Sequence, residues 1–256
     1  MTKVRVTDML KIKNINIGEG RPKICLPITG RNLTEIDQQA VLIKQKMPDL
    51  VEWRVDFYEG NDIKPALDLI RKKIGDLPLI FTFRTKKEGG EREISDHDYL
   101  LINERAMMTG LIDLIDIELK LPVVIRNPLI AKAKQQGIAT IISNHDFEKT
   151  PAQEEMINRL KEAKLTGASI AKLAVTPQNS NDVLSLLTVT NEMSQQLEIP
   201  IVTISMGGLG LVTRLTGEVF GSAITFGSAG PTSAPGQIDK DALSTTLDVI
   251  HENFTK

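Results

Sequence analysis

Eight short β-rich runs recur along this chain, and a longer segment with helical spacing separates most of them from the next. Because the intervening segments have room for crossover helices, successive strands are expected to run parallel in one sheet. Eight such units within 256 residues predict an α/β fold, the closed (β/α)8 TIM barrel. The predicted strands are residues 23–29, 50–56, 79–84, 114–119, 139–145, 169–175, 200–206 and 222–227.

The residues that flank the helical segments agree with this alternation. Ser95 precedes one segment, and Thr150 with Pro151 precedes another, as at many helix N-termini. Glycines stand where four helices should end, at positions 75, 110, 137 and 167. The predicted helices are residues 34–47, 61–74, 96–110, 151–165, 180–197 and 239–253, with further ones between 119 and 139 and around 212–219.

The first 22 residues fall outside the repeat. The segments VRV (4–6) and KNINIG (13–18) have strand-like composition and predict a hairpin that covers one end of the barrel. We therefore expect residues 1–256 to form a single barrel domain, with residues 1–22 as a short N-terminal hairpin extension.

An open doubly wound sheet is the rival architecture, and nucleotide binding is its usual function. That fold carries several glycines in the turn after its first strand, whereas this chain has only Gly30 there. The cluster Gly207-Gly208-Leu209-Gly210 follows a later strand and lacks the lysine of a phosphate-binding loop. The sequence therefore favours the barrel and predicts no nucleotide cofactor.

Composition argues against several other classes of protein. A net charge of −2 provides no positive field for nucleic acid, and no apolar run reaches the length of a membrane span. The N-terminus has no apolar signal core, and the single cysteine, Cys25, fits a reducing compartment. Three scattered histidines give no metal-binding spacing. We expect a cytoplasmic protein without a metal, a membrane or a nucleic-acid partner.

Charged residues gather at the carboxyl ends of the predicted strands, where barrel enzymes carry their active sites. Alternation along 50–56 turns Glu52, Arg54 and Asp56 toward the barrel axis. A buried network of charges that only neutralise one another is the structural alternative, but such networks add little net stability. A catalytic site is therefore the better explanation, although one of these residues, Asp116, is readily assigned a structural role. The other strand ends contribute Arg84, Asp116, Glu118, His145 and Lys172.

Lys172 and His145 lie on neighbouring predicted strands and indicate one type of chemistry. A partly desolvated amine among cations such as Arg54 and Arg84 holds its proton less tightly and can attack a ketone. The resulting iminium stabilises an adjacent carbanion, and His145 is the proton-transfer candidate near neutral pH. The arginines predict an anionic substrate such as a carboxylate. A lysine that only pairs with a strand-end glutamate is the structural alternative.

Two loops extend the predicted site. Gly89 and Gly90 follow Glu88 and would let its carboxylate fold back to orient His145, although a solvated loop would have the same composition. The segment 228–237, SAGPTSAPGQ, is small and polar, as active-site lids often are.

Taken together, these residues resemble type I 3-dehydroquinase, the Schiff-base dehydratase family of the shikimate pathway. The resemblance covers nearly the whole chain and rests on the order and spacing of short motifs rather than on any one of them. The motifs are EWRVD (52–56), FTFR (81–84), KEGGE (87–91), DIEL (116–119), SNHDF (143–147), IAKLA (170–174), RLTGEVFGSAITFG (214–227) and SAPGQ (233–237).

The resemblance implies a role for each matching residue. Lys172 matches the lysine that forms an imine with 3-dehydroquinate, and Glu88 matches the carboxylate partner of the histidine. His145 matches the general base that removes a C2 proton and then protonates the departing C1 hydroxyl in a syn elimination. Arg214 matches the arginine that binds the substrate carboxylate. The other substrate-contacting positions are Glu52, Arg54, Arg84, Ser233 and Gln237, with Met206 and Phe226 as apolar walls. The resemblance also implies a homodimer that needs no cofactor.

Two other functions are alternatives. A class I aldolase or transaldolase also uses a lysine on a barrel strand, but aldolases acting on sugar phosphates need a phosphate site after the last strands. The segment SAGPTSAPGQ is poorly suited to that task. A non-catalytic barrel would not be expected to keep both Lys172 and His145.

Overall fold

The N-terminal part of the chain forms an antiparallel hairpin. The computed structural model describes residues 9–230 and 233–254, and the hairpin consists of β1 (Leu10–Ile12) and β2 (Ile15–Ile17). The predicted hairpin is therefore confirmed, but its first strand is residues 10–12. The segment 4–6 that was predicted for this strand lies outside the described residues.

Eight parallel strands follow the hairpin and form one curled sheet. Each of the first six strands pairs with the next along the chain, and the eighth pairs with the first, so the predicted strand order is confirmed. Among the described residues, the seventh and eighth strands are joined only by an isolated bridge between Ile201 and Ser222. A further short strand, β11 (Ile238–Asp239), adds to the last of them. The eight strands are β3 (Lys23–Ile28), β4 (Leu50–Arg54), β5 (Leu79–Thr82), β6 (Leu114–Glu118), β7 (Ala139–Asp146), β8 (Ile170–Val175), β9 (Ile201–Ser205) and β10 (Ile224–Ser228).

The sheet closes into a barrel through a short seam beside β9. The Ala223 amide donates to the Ile201 carbonyl at 2.8 Å, which joins the start of β9 to the residue before β10. Beyond that point a side chain replaces the missing strand partner, because the Ser222 hydroxyl accepts from the Thr203 amide at 3.1 Å. The predicted (β/α)8 barrel is therefore confirmed, with one joint that side chains complete.

Helices surround the barrel at the predicted places, and most begin and end within three residues of the prediction. The Ser95 hydroxyl caps one of them by accepting from the Asp98 amide at 3.1 Å. Thr150 was wrongly expected to cap another, which begins after Ala152; its hydroxyl donates instead to the Thr176 carbonyl at 3.1 Å. The helices are α1 (Leu33–Lys46), α2 (Lys64–Ile74), α3 (Asp96–Met108), α4 (Val123–Gln135), α5 (Gln153–Leu165), α6 (Ser180–Gln196), α7 (Leu211–Leu215), α8 (Gly217–Phe220) and α9 (Lys240–Phe254).

Two hydrophobic cores hold these layers together. The larger core lies between the strands and the helices and includes Val51, Trp53 and Val55, as the alternation along this run predicts. The smaller core fills the inside of the barrel, and the fully buried Ile17 of the hairpin belongs to it. The hairpin therefore covers the end of the barrel at which the strands begin, as predicted.

One strand at the polar mouth of the barrel, β4, ends earlier than predicted. β4 ends at Arg54, and a 3-10 turn spans Val55–Phe57, so the predicted strand 50–56 is two residues too long. Asp56 lies in this turn and is nevertheless buried.

Among the helices of the described ranges, none combines the length and the hydropathy that crossing a bilayer requires.

Candidate active site

One cavity at the carboxyl ends of the barrel strands brings together all eleven predicted site residues. Its empty volume is about 510 Å³, which includes space that is open to solvent. Strand ends supply the polar floor, the loop after β5 supplies one wall, and the segment after β10 supplies the cover. The predicted residues that line it are Glu52, Arg54, Arg84, Glu88, His145, Lys172, Met206, Arg214, Phe226, Ser233 and Gln237.

Lys172 stands at the floor of this cavity and is buried. Its Nζ atom lies 3.5 Å from Asp116 Oδ2, 4.0 Å from Glu52 Oε1 and 4.5 Å from the centroid of the Phe226 ring. Strand register places Lys172 opposite Ser143 of β7. The ion-pair partners of the amine are thus carboxylates: Glu52 belongs to the structural alternative of a lysine paired with a strand-end glutamate, and the cations Arg54 and Arg84 were the neighbours expected to loosen its proton. The nearest carboxylate, Asp116, is the residue that the sequence analysis most readily assigned a structural role.

A buried network of charges supports the floor. Arg84 Nη2 donates to Asp116 Oδ1 at 2.8 Å, and Arg84 Nη1 donates to Glu118 Oε1 at 3.0 Å. The Ser143 hydroxyl donates to Asp116 Oδ1 at 2.6 Å. Burial opposes the charge of Asp116, but Arg84, Lys172 and this hydroxyl outweigh it and lower the pKa of Asp116. Asp116 is therefore an anion shared by two cations.

His145 and Glu88 form a pair above the lysine. Glu88 Oε2 lies 2.9 Å from His145 Nδ1 and accepts from the His145 amide at 3.0 Å, while Glu88 Oε1 accepts from Asn144 Nδ2 at 2.9 Å. Burial, followed by the charge of Glu118, raises the pKa of Glu88 to about 8. Burial and the nearby cations, Arg84 first, lower the pKa of His145. The lowered pKa favours the neutral imidazole.

Two arginines on opposite sides of the mouth differ in their partners. Arg54 forms a bidentate pair with Asp56, at 2.8 Å from Nε to Oδ1 and 2.7 Å from Nη2 to Oδ2. Among the described residues, Arg214 donates to two backbone carbonyls, those of Phe226 at 3.2 Å and Pro235 at 2.9 Å. Within residues 9–230 and 233–254 it has no carboxylate within 4.0 Å, and its Nε atom has no acceptor. Burial lowers the pKa of Arg214 to about 10.

The segment after β10 lies over the cavity. The Ser233 amide donates to Gln237 Oε1 at 2.9 Å, and Gln237 Nε2 donates to the Ser233 hydroxyl at 3.0 Å. Arg54 Nη1 reaches the Ser233 carbonyl at 3.3 Å. These contacts, with that of Arg214 to Pro235, tie the described part of the predicted lid to both sides of the mouth.

Phe147 is the most prominent lining residue that sequence reasoning missed. Its ring stacks on that of His145, with centroids 6.5 Å apart and planes inclined by 27°. A Cβ atom at Gly89 would lie 2.2 Å from the Phe147 ring, so only glycine allows this approach. The signal was present, because Phe147 belongs to the motif SNHDF. The alternation of β8 and β9 could likewise have identified two further missed lining residues, Ala174 and Ile204.

Comparisons with known proteins agree with this geometry. The family model for type I 3-dehydroquinase matches residues 24–254. The 3-dehydroquinate dehydratase of Listeria welshimeri is 46% identical over 247 residues, which are 95% of this chain and 98% of that protein. The 3-dehydroquinate dehydratase of Bacillus licheniformis is 47% identical over 251 residues, 96% of this chain and 99% of that protein.

Solved structures give the same result. The crystal structure of type I 3-dehydroquinate dehydratase from Clostridium difficile, with covalently modified comenic acid, superposes with a TM-score of 0.93 at 45% identity. It covers 97% of this chain and 99% of that one. The 3-dehydroquinate dehydratase of Geobacillus kaustophilus superposes with a TM-score of 0.94 at 34% identity, over 99% and 100% of the two chains. This chain belongs to the type I 3-dehydroquinase family.

Proposed function

We propose that this protein converts 3-dehydroquinate to 3-dehydroshikimate and water through a Schiff base on Lys172. The observation that carries the proposal is one cavity that holds a buried amine, a neutral imidazole backed by a carboxylate, and a buried guanidinium without a carboxylate partner among the described residues. These groups supply a nucleophile, a proton carrier and an anion site, which together are what the reaction requires.

Arg214 binds the substrate carboxylate in this proposal. A buried guanidinium whose Nε–H lacks an acceptor carries an unfavourable desolvation energy. An incoming carboxylate offers both the charge and the acceptors that the described residues do not provide. Arg54, Arg84 and Glu52 contact the other polar groups of the substrate, and Ser233 with Gln237 closes over it. Met206 and Phe226 form the apolar walls.

Lys172 is the nucleophile. Its amine attacks the C3 ketone, the carbinolamine loses water, and a protonated imine forms. The positive nitrogen withdraws electrons from C2, so the C2 proton becomes acidic enough for an imidazole to remove it. The neighbouring carboxylates of Asp116 and Glu52, 3.5 and 4.0 Å from the amine, stabilise the cationic imine. The iminium is the electron sink, and the proposal includes no cofactor.

His145 moves the protons. Its Nε2 atom takes the C2 proton to give an enamine; the enamine electrons then expel the C1 hydroxyl, which leaves as water with the proton that His145 returns. One group serves both steps on one face of the ring, hence a syn elimination. Glu88 accepts from Nδ1 and stabilises the imidazolium between the two steps. Hydrolysis of the conjugated imine releases the product and restores the amine.

Borohydride trapping tests the nucleophile. Protein incubated with 3-dehydroquinate and borohydride should gain the mass of one reduced adduct, and peptide mapping should place it on Lys172. Lys161→Ala, a change at an exposed position of α5, should still give the adduct. An adduct on another lysine, or none that depends on substrate, contradicts the Schiff-base proposal.

Replacement of His145 tests the proton carrier. His145→Ala should still form the trappable imine but should lose at least about 100-fold in turnover, the usual contribution of a general base. His97→Ala changes an exposed histidine at the start of α3 and should turn over like the unaltered protein. Turnover by His145→Ala at the level of the His97 variant would remove His145 from this role.

We also propose that the protein is a cytoplasmic homodimer in which residues 1–256 form one catalytic domain. The family resemblance supports the dimer, and the single buried cysteine, Cys25, supports a reducing compartment. Light scattering on the purified protein at micromolar concentration should give twice the mass of the 28.3 kDa chain. A mass of one chain contradicts the dimer and leaves the chemistry unaffected.

A further inference from the structure

A chain of hydrogen bonds runs from the outer layer of the barrel to His145. Arg159 of α5 is 9% exposed, and its Nη1 donates to Asn144 Oδ1 at 2.8 Å. Asn144 Nδ2 donates to Glu88 Oε1 at 2.9 Å, and Glu88 Oε2 lies 2.9 Å from His145 Nδ1. Arg159 and Asn144 are outside the lining of the cavity, so neither contacts the substrate.

The first member of this chain fixes its direction. A guanidinium has only donors, so the Asn144 amide can meet Arg159 only with its oxygen. The amide nitrogen then points at Glu88, which receives one N–H from Asn144 and a second from the His145 amide. These two donors favour the ionised carboxylate and oppose the burial that raises the pKa of Glu88 to about 8. Above that pKa, Glu88 is ionised and can only accept from His145, so the ring proton lies on Nδ1 and Nε2 is free.

We propose that Arg159 is a positioning residue that fixes the direction of the hydrogen bonds through Asn144 and Glu88 and so keeps the His145 ring proton on Nδ1. The inference rests on the proposed role of His145 as general base, because only a ring with a free Nε2 can take the C2 proton. Without Arg159, the Asn144 amide can turn its nitrogen away from Glu88, and the loss of this donor favours a protonated carboxyl group. The Nδ1 proton then moves to Glu88 Oε2, Nε2 takes up a proton from solvent, and the neutral ring accepts at Nδ1 from the carboxyl group.

The charges around this chain stay in place when Arg159 is changed. Glu88 faces Arg84, 3.6 Å away, and the carboxylates of β6. His145 faces cations from β4, from the loop after β5 and from β8. At its outer end Arg159 lies 3.3 Å from Asp146 and pairs with Glu155, which is on the same helix. The groups that surround Glu88 and His145 are Arg54, Arg84, Asp116, Glu118 and Lys172.

Arg159→Met tests the proposal, since it removes the donors and keeps an apolar stem. The acid limb of the kcat/KM profile for 3-dehydroquinate should move to higher pH by about 0.5 to 1 unit, because Glu88 holds its proton more tightly. ¹⁵N spectra of the ligand-free protein, with labelled histidine and just above pH 8, should show His145 change from the Nδ1–H form toward the Nε2–H form. Arg159→Lys retains the charge and a donor and should lie between the two.

Arg126→Met is the matched control. Arg126 of α4 is 7% exposed and donates to the Leu119 carbonyl and to Glu162, so it joins helix to barrel as Arg159 does. Among the described residues, Arg126 forms a hydrogen bond to neither Asn144 nor Glu88. Its variant should lose similar stability but keep the acid limb and the ring spectrum of the unaltered protein.

Two results would overturn the inference. One is an Arg159→Met protein with an unaltered acid limb and an unaltered His145 spectrum. The other is an equal change in Arg126→Met, which would reflect a general loss of rigidity. The ring spectrum requires no turnover, so it tests the role of Arg159 even if the unaltered protein fails to dehydrate 3-dehydroquinate.

Discussion

Glu88 and His145 are bonded directly, so their titration belongs to the pair and not to either residue. Burial and Glu118 raise the pKa of Glu88 to about 8, while burial and Arg84 lower the pKa of His145. Below the apparent pKa of the pair an extra proton resides on it, and the proton carrier is blocked. Above that pKa, Nε2 is free. We therefore expect kcat/KM to rise with pH across this transition.

Glu118→Gln should move that transition to lower pH. The change removes a negative neighbour of Glu88, which should then release its proton more readily, and the acid limb of kcat/KM should fall by about one unit. A glutamine can keep the contacts of Glu118 with Arg84 and with the amide and hydroxyl of Thr85. The profile of Glu162→Gln, an exposed carboxylate on α5, should be unaltered. An upward shift in Glu118→Gln would contradict this assignment.

Asp116→Asn should destabilise the protein strongly at pH 7. The change leaves Arg84 and Lys172 with less compensating charge in a fully buried site, and breaking such a site costs about 3–5 kcal/mol of unfolding free energy. Because the pKa of Asp116 is lowered in the folded state, its stabilisation is fully present above the unfolded pKa of about 4 and declines as the pH falls through the folded pKa. Urea unfolding from pH 7 down to pH 3 measures both effects.

Asp68→Asn is the control for this measurement. Asp68 pairs with Lys64 on the surface of α2, and both side chains are about half exposed. Its loss should change the unfolding free energy by less than about 1 kcal/mol. Equal losses in the two variants would show that the buried network gives no more stability than a surface pair.

At this scale the sequence predicts the residues that line the site better than those that support them. Lys172 and His145 follow from strand alternation, because a charged residue inside a β-run has one obvious place to point. The role of Asp116 depends on a 3.5 Å distance across the barrel floor, and that of Arg159 on a contact between a helix and a strand end. The spacing of residues within a single strand or helix gives no information about either of these contacts between elements.

The hairpin β1–β2 is the element whose contribution can be separated from catalysis. Ile17 is fully buried in the inner core, at the opposite end of the barrel from the cavity. Ile17→Ala should cost about 2–4 kcal/mol of unfolding free energy with little change in kcat. Met9→Ala, beside the hairpin and 59% exposed, should change neither quantity. A large loss of kcat in folded Ile17→Ala would show that the hairpin also influences the site.

Element positions were predicted well because the alternation of strands and helices is strong, whereas their ends were not. The pattern of residues 50–56 predicts one strand, but a 3-10 turn begins after Arg54. The turn lets the Asp56 carboxylate accept from Nε and Nη2 of Arg54. The Thr150-Pro151 pair has the composition of a helix start, yet the Thr150 hydroxyl donates across a loop. In the first case a side-chain pair between residues two apart in sequence outweighed the preference for a strand. In the second, a tertiary hydrogen bond outweighed the preference for a helix cap.

At the scale of the whole molecule, closure of the lid depends on Gly236. This residue has φ +77°, and a Cβ atom there would lie 2.6 Å from the Gly207 carbonyl oxygen. Gly236→Ala should therefore displace the lid and lower kcat/KM by at least about tenfold, with a small change in the urea midpoint. Gly207→Ala is the control, because its φ is +73° but its Cβ would meet no atom of the described residues within 4 Å. Equal losses of kcat/KM would assign the effect to backbone strain.

The seam of the barrel has a consequence for how the molecule opens. Where β9 and β10 do not pair, α7 spans the gap: Thr213 accepts from the Ser205 amide at 3.0 Å, and Arg214 donates to the Phe226 carbonyl at 3.2 Å. Arg214, which is proposed to bind the substrate, thus also helps to join the two strands. Linkage then requires that bound substrate disfavour local opening of the barrel between β9 and β10. Amide hydrogen exchange at Thr203 and Ser205 should therefore slow as ligand occupancy rises. The bound ligand would then help to hold β9 and β10 together where they do not pair.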